Sequence, residues 1–253
     1  MLLAKKKTLF LVIIALLAAL GNYFLGNPLS KYHAGNVAEQ YLHETYQDKD
    51  FYIEDITFDS KTRNYIAQIV SPSSIDSHFS VGVSTRGNVL YDLYSNDVLS
   101  KYNTISRIQD EYSALAVPAL KPLNLKYNIP VITATISFSC SKENAEYNTA
   151  INSIPLNEIQ VDGFYNIRGL GKQAGLLDIE VADSNVSTEQ VTEILIAIKS
   201  TMDQAKIPFH AINLYLTNTT PPPANSSAIL FEAILYEEIS ETRLVERIHD
   251  FQK

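Results

Sequence analysis

The chain has 253 residues, a formal net charge of −8, 46% hydrophobic residues and one cysteine, Cys140. Such a hydrophobic share excludes a disordered tail, and an acidic body of this kind is repelled by nucleic acid, which is excluded as a partner. A single cysteine excludes an internal disulfide, so a large exported portion reads as a bacterial surface protein and not as a eukaryotic secreted domain.

At the amino terminus, Lys5, Lys6 and Lys7 stand directly before an uncharged run from Leu9 to Leu25. A bilayer core of about 30 Å needs roughly 17–25 apolar residues in a helix. Residues 8–26 are therefore expected to form a transmembrane helix with the lipid bilayer as its partner. Tyr23 and Phe24 would stand at the interface, and the lysines keep residues 1–7 as a cytoplasmic tail. The implied location is the cell membrane, single-pass, with residues 27–253 outside. The alternative is a secreted precursor with a cleaved signal peptide, since Leu9–Leu20 also suits a hydrophobic region of about 7–15 residues and Ala19-Leu20-Gly21 at its end a small-x-small site.

The expected fold class is α+β: the transmembrane helix, then two small α+β domains. Asn27 and Pro28 supply an N-cap and a first helical residue. Ala34, Val37, Ala38, Tyr41 and Leu42 then recur at helical spacing. Strand-like runs follow at 51–59, 64–70, 78–85 and 89–94, with Gly, Asn, Ser and Pro between them, which is the pattern of an antiparallel meander. From Asp97 a second helix places Val98, Tyr102, Ile105, Ile108, Tyr112 and Leu115 on one stripe. The first domain, 27–117, thus reads helix, antiparallel strands, helix. Three prolines in VPALKPLNLKYNIP make 118–130 a linker.

The second domain, 131–253, is expected to be a mixed sheet with helices on one face. A strand at 131–140 precedes an irregular stretch at 141–174, and a second strand covers 176–182. Ser187 with Gln190 forms a capping box for a helix carrying Val191, Ile194, Leu195, Ile198, Met202 and Ala205. Pro208 ends it. Ile212, Leu214 and Leu216 alternate in a strand, another runs from Ala228 to Glu237, and a final amphipathic helix carries Leu244, Ile248 and Phe251.

At this point the stretches GNPLSK (26–31), AEQYLHETYQDKDFYIEDITF (38–58), SPSSIDSHFSV (71–81), GKQAGLLDIEV (171–181) and MDQAKIPFHAINLYL (202–216) resemble the YfjL-like family of bacillus-type bacteria. The resemblance implies an anchored extracytoplasmic protein with two small α+β domains. It supplies no assigned reaction, so no catalytic residue carries over. In outline the first domain is also similar to PepSY-type modules.

The chemically dense turn is Ser71-Pro72-Ser73-Ser74-Ile75-Asp76-Ser77-His78, which makes Ser73, Asp76 and His78 the candidate binding residues, although Ser, Pro and Asp are also ordinary turn formers. Ser139-Cys140-Ser141-Lys142 has an SxxK spacing, but it follows a strand, and neither SDN nor KTG occurs in the chain. Gly169-Leu170-Gly171 with Gly175 echoes a dinucleotide loop, yet a strand follows where a helix should open, so a flexible turn is expected. His33, His43, His78, His210 and His249 are scattered, without HExxH or a pair one helical turn apart. Asp178, Glu180 and Asp183 read as the polar face of a strand. The sequons at Asn185, Asn218 and Asn225 are read as chance in a bacterial protein. Nine of the 15 tyrosines lie between Tyr32 and Tyr112, a residue common on recognition surfaces but expected here mainly in core and strand pairs. No cofactor or metal is expected. These features point to a non-catalytic module that binds an envelope protein or peptide near the membrane; the alternative is an envelope hydrolase using Ser139 or the Asp76–His78 region.

Overall fold

The computed structural model describes residues 13, 26–139, 151–183, 186–217, 229–240 and 244. Apart from Ile13 and Gly26, the expected membrane segment 8–26 lies outside the described residues. No helix among the described residues is long and apolar enough to cross a membrane, which corrects the expected fold class on that point. The two longest described helices, α1 (Pro28–Thr45) and α2 (Tyr102–Leu120), show why. They carry Lys31, Glu39 and Glu44, and Arg107, Asp110 and Glu111, and each buries only one stripe. The chain divides into two compact units, up to Thr104 and from Ile105 onward.

In unit 1, α1 is followed by β1 (Tyr52–Asp59), β2 (Asn64–Ser71), β3 (Ser74–Ser84) and β4 (Val89–Asp92), an antiparallel sheet in the order β1-β2-β3-β4. The Asn27 side chain caps α1 by accepting from Leu29 N at 2.9 Å, with Pro28 at the first turn. Tyr65 fixes this start, because its hydroxyl accepts from Asn27 N at 3.0 Å and donates to Asn27 O at 2.9 Å. Ala34, Ala38 and Leu42 form the buried stripe of α1. The period-2 pattern becomes matched cross-strand pairs: Tyr65 opposite Val83, Ala67 opposite Val81 and Ile69 opposite Phe79, all buried. His33 and His43 lie exposed on α1.

One end of this unit is an aromatic cluster. The Tyr46 ring meets Phe51, Phe79 and Tyr94 edge-on at centroid distances of 5.3, 5.7 and 5.0 Å. Asp92 Oδ2 accepts from the Tyr41 and Tyr46 hydroxyls at 2.8 and 2.6 Å. Burial, and then the Asp92 carboxylate, raise both phenols above their ordinary value. Below about pH 10 the folded and unfolded phenols are both protonated and this contribution is complete. Above it the unfolded chain releases protons that the folded one retains, so stability falls as pH climbs toward the raised folded values. The expected result is a fall in the unfolding midpoint that begins near pH 10 and is shallower in Tyr46→Phe; equal slopes in the two proteins would contradict it.

Unit 2 contains most of α2, then α3 (Leu123–Tyr127), β5 (Val131–Ile136), β6 (Phe138–Ser139), β7 (Ile154–Pro155), α4 (Ile167–Ala174), β8 (Gly175–Val181), α5 (Thr188–Gln204), β9 (Ala211–Leu216) and β10 (Ile229–Leu235). Its main sheet has the order β10-β9-β8-β5, with β8 and β9 parallel and the outer pairs antiparallel. Leu177, Ile179 and Val181 of β8 and Ile212, Leu214 and Leu216 of β9 share one core with Val191, Ile194, Leu195, Ile198 and Met202 of α5. Both halves of the Ser187–Gln190 capping box are formed, at 2.8 and 3.3 Å.

Three expectations differ from what is observed. The helix meant to close the first domain is split: a short helix at Ser95–Leu99, with Val98 buried, follows β4 in unit 1, whereas α2 contributes Ile108, Tyr112, Ala116 and Leu120 to the core of unit 2, so the expected order helix, antiparallel strands, helix is kept in unit 1 only by that short element. The segment 118–130, expected as a linker, holds the end of α2, which runs through Pro118, and all of α3. Leu120 and Ile129 are buried there, and packing of Ala116 and Leu120 outweighs the hydrogen bond that Pro118 gives up. Residues 167–174, expected to be irregular, form α4, whose N-cap Asn166 accepts from Gly169 N at 3.1 Å. The expected final helix lies outside the described residues except for Leu244, which is buried in the core.

Candidate functional site

The end of α5 builds the wall of a cavity in unit 2. Lys206 adopts a left-handed conformation (φ 56°), and Ile207 N donates to Met202 O at 3.0 Å to close the helix. Arg168 Nε of α4 holds the Lys206 carbonyl at 3.0 Å. Pro208 cannot extend the helix, and Ile207 and Phe209 turn inward and are buried. His210 then joins the sheet: its N–H donates to Gly175 O at 2.7 Å, and its carbonyl accepts from Tyr236 N at 2.9 Å. The ends of β8, β9 and β10 are thereby tied together around Lys206–His210.

Here lies a cavity of about 500 Å³, bounded chiefly by Lys172, Lys206, Pro208, Phe209, His210 and Tyr236. Its volume falls in the range of ligand pockets, roughly 300–1,000 Å³. Tyr236 is locked on three sides. Its ring meets Phe209 edge-on at 5.1 Å, Lys199 Nζ sits 4.0 Å from its centroid, and its hydroxyl donates to Asp203 Oδ1 at 3.0 Å. Burial, and then Asp203, raise the Tyr236 phenol above its ordinary value. Lys199 is committed to the Tyr236 and Ile239 carbonyls at 2.9 and 3.1 Å. The Lys172 and Lys206 ammonium groups, by contrast, have no hydrogen-bond or ion-pair partner among the described residues. His210 Nε2 is buried without a partner among the described residues, an arrangement native proteins rarely tolerate without a role. From below, the Tyr112 hydroxyl donates to Pro208 O at 3.1 Å.

A second cavity, in unit 1, has a volume of about 540 Å³ and is lined by Leu42 and His43 of α1, by Tyr46 and Phe51 of the connection, and by Tyr52 and Ile53 of β1.

Ser73, Asp76 and His78 share the β2–β3 hairpin but engage different partners. Exposed Ser73 donates its N–H to Asp50 Oδ2 at 3.2 Å, and its hydroxyl lies 3.2 Å from that of Ser71. Ser71 donates to Asp50 Oδ1 at 2.5 Å, and these serines hold the Asp50 carboxyl below its usual value. Asp76 is 1% exposed and accepts from Thr104 Oγ1 at 2.8 Å, while Asn103 Nδ2 donates to the Asp76 and His78 carbonyls at 2.9 and 2.6 Å. The His78 side chain is exposed.

Ser139 ends β6 with no base bonded to its hydroxyl among the described residues, and Cys140, Ser141 and Lys142 lie outside them. On the polar face of the unit 2 sheet, Asp178 Oδ1 accepts from Asn213 Nδ2 at 2.8 Å and Glu180 Oε1 from Thr217 Oγ1 at 2.9 Å. No group of three potential metal ligands is present among the described residues. The cavity itself escaped sequence reasoning. Its local signal was Lys206-Ile207-Pro208-Phe209-His210, in which an apolar side chain stands on each side of the Pro that follows the helix end.

The chain matches the family models for a YfjL-like N-terminal domain over residues 4–102 and a YfjL-like C-terminal domain over residues 111–249. It belongs to the YfjL-like family. The two YfjL-like segments meet close to the division at Thr104 and Ile105. Among solved structures, the crystal structure of a DUF5037 family protein from Ruminococcus gnavus ATCC 29149 is similar at 14% identity over 72% of this chain and 73% of that one, with a TM-score of 0.20, too low to support any conclusion about this YfjL-like chain. No curated protein matches it.

Proposed function

We propose that this chain is a non-catalytic binding module that takes a protein or peptide segment into the cavity of unit 2. The observation that carries this reading is the fixed aromatic wall, with Tyr236 held by Phe209, Lys199 and Asp203 beside an open volume of about 500 Å³. An aromatic surface that is already ordered binds without a large entropic cost, which is why rigid tyrosines dominate recognition sites. The experiment is selection of a displayed random peptide library on the full chain, with Tyr236→Ala as the parallel bait and its melting curve as the control for folding. Enrichment of a sequence class on the wild type that is lost on the folded variant is expected. Equal enrichment on both, or none on either, would refute the reading.

A further inference from the structure

The charge around the cavity narrows what it accepts. The body of the protein is acidic, with a net charge of −8, yet two lysines without partners among the described residues, Lys172 at the end of α4 and Lys206 after α5, stand at this rim. Two carboxylates, Asp203 and Glu237, share the lining, and Asp203 accepts from the Tyr236 hydroxyl and not from either lysine. The same lining includes Ile207, Pro208, Phe209, Leu235 and Tyr236, which make much of it apolar. We propose, resting on the peptide-binding reading above, that the cavity receives a carboxylate borne on an apolar stem, the chemistry of a peptide carboxy terminus ending in a large apolar residue. Lys172 and Lys206 take the carboxylate, and the Phe209–Tyr236 wall takes the side chain. A singly charged anion suits the site better than a phosphate dianion for two reasons. Asp203 and Glu237 lie on the same lining and repel any anion, a dianion about twice as strongly as a single carboxylate. Lysines also act as point charges, without the planar bidentate fork that arginine offers a phosphate.

A free carboxylic acid shares this chemistry, so the test has two arms. N-acetyl-Leu-Phe with a free carboxylate, its carboxy-terminal amide, and 3-phenylpropanoate are titrated by NMR into the full chain, its Lys172→Ala/Lys206→Ala variant and Tyr236→Ala. Both lysines are exposed, so the double variant should fold. The expected result is that the acid peptide shifts the Phe209 and His210 amides and binds about tenfold or more tighter than the amide, as a hydrogen bond to a charged group allows. That advantage is lost in the lysine variant, while Tyr236→Ala weakens both peptides. Equal affinity of acid and amide would overturn carboxylate recognition and leave peptide binding standing. Lysine-dependent binding of 3-phenylpropanoate without either peptide would uphold carboxylate recognition and overturn the peptide source. No binding of any probe would overturn both.

Discussion

Tyr112→Ala is expected to lower the stability of unit 2 by about 3–5 kcal/mol, the cost of truncating a fully buried aromatic residue. Tyr112 is 0% exposed and sits in the core with Ile108, Ala116 and the β8 side chains. Two glycines make room for it. A Cβ on Gly171 would stand 2.6 Å from Tyr112 Cε2 and 2.7 Å from Pro208 O, and one on Gly175 would stand 2.6 Å from the Tyr112 hydroxyl. The ring thus fills a slot that Gly171 and Gly175 leave only because those positions lack side chains. Tyr112→Phe keeps the ring and loses only the bond to Pro208 O, for about 1 kcal/mol. Urea unfolding of the three proteins checks the order. A loss below about 1.5 kcal/mol for the alanine variant would mean that the slot closes, contrary to the packing described. Because Pro208 lines the cavity, the alanine variant should also weaken ligand binding, whereas the phenylalanine variant should largely retain it.

The elements legible in the sequence were those whose signal is local. The Asn27-Pro28 start of α1, the alternation of Tyr65, Ala67 and Ile69, and the Ser187–Gln190 box each depend on contacts within a few residues or along one strand. The misread parts were decided by distant contacts. Gly169 and Gly171 look like turn punctuation, yet both lie inside α4, and at Gly171 a side chain would meet Tyr112 and Pro208, far away in sequence. The α2 stripe was visible, but which sheet it would cover was not, since periodicity gives a face and not its partner. The cavity was hidden for the same reason. Lys172, Phe209 and Tyr236 come from three separate elements, and none belongs to a motif. The serine-rich hairpin, by contrast, stood out because its polar residues are consecutive.

That hairpin carries the other large expected effect, a loss of about 3 kcal/mol in unit 1 for Asp76→Ala. In the β2–β3 ladder Val70 faces His78 while Ser71 already faces Ser74, so three extra residues, 75–77, bulge from β3. The bulge turns Asp76 inward, where its carboxylate accepts from Thr104 Oγ1 at 2.8 Å, and Thr104 is itself 0% exposed. Asn103, 7% exposed, closes the bulge from the same side through the Asp76 and His78 carbonyls. Removing the carboxylate strips a buried hydroxyl of its acceptor and leaves a hole that water must fill. Leaving one such group unsatisfied costs about 1–3 kcal/mol, and loss of the charge-assisted bond adds to it. Ser73→Ala and His78→Ala alter exposed side chains and should stay within about 0.5 kcal/mol. Thr104→Val alone should also destabilise, because it leaves the carboxylate short of a donor. Combined with Asp76→Ala it should cost less than the sum of the two, since the groups it leaves unmatched have then both gone. Chemical denaturation of the four variants and the double variant settles the matter. A strictly additive double, or an Asp76→Ala protein as stable as His78→Ala, would show that this carboxylate does not hold the bulge.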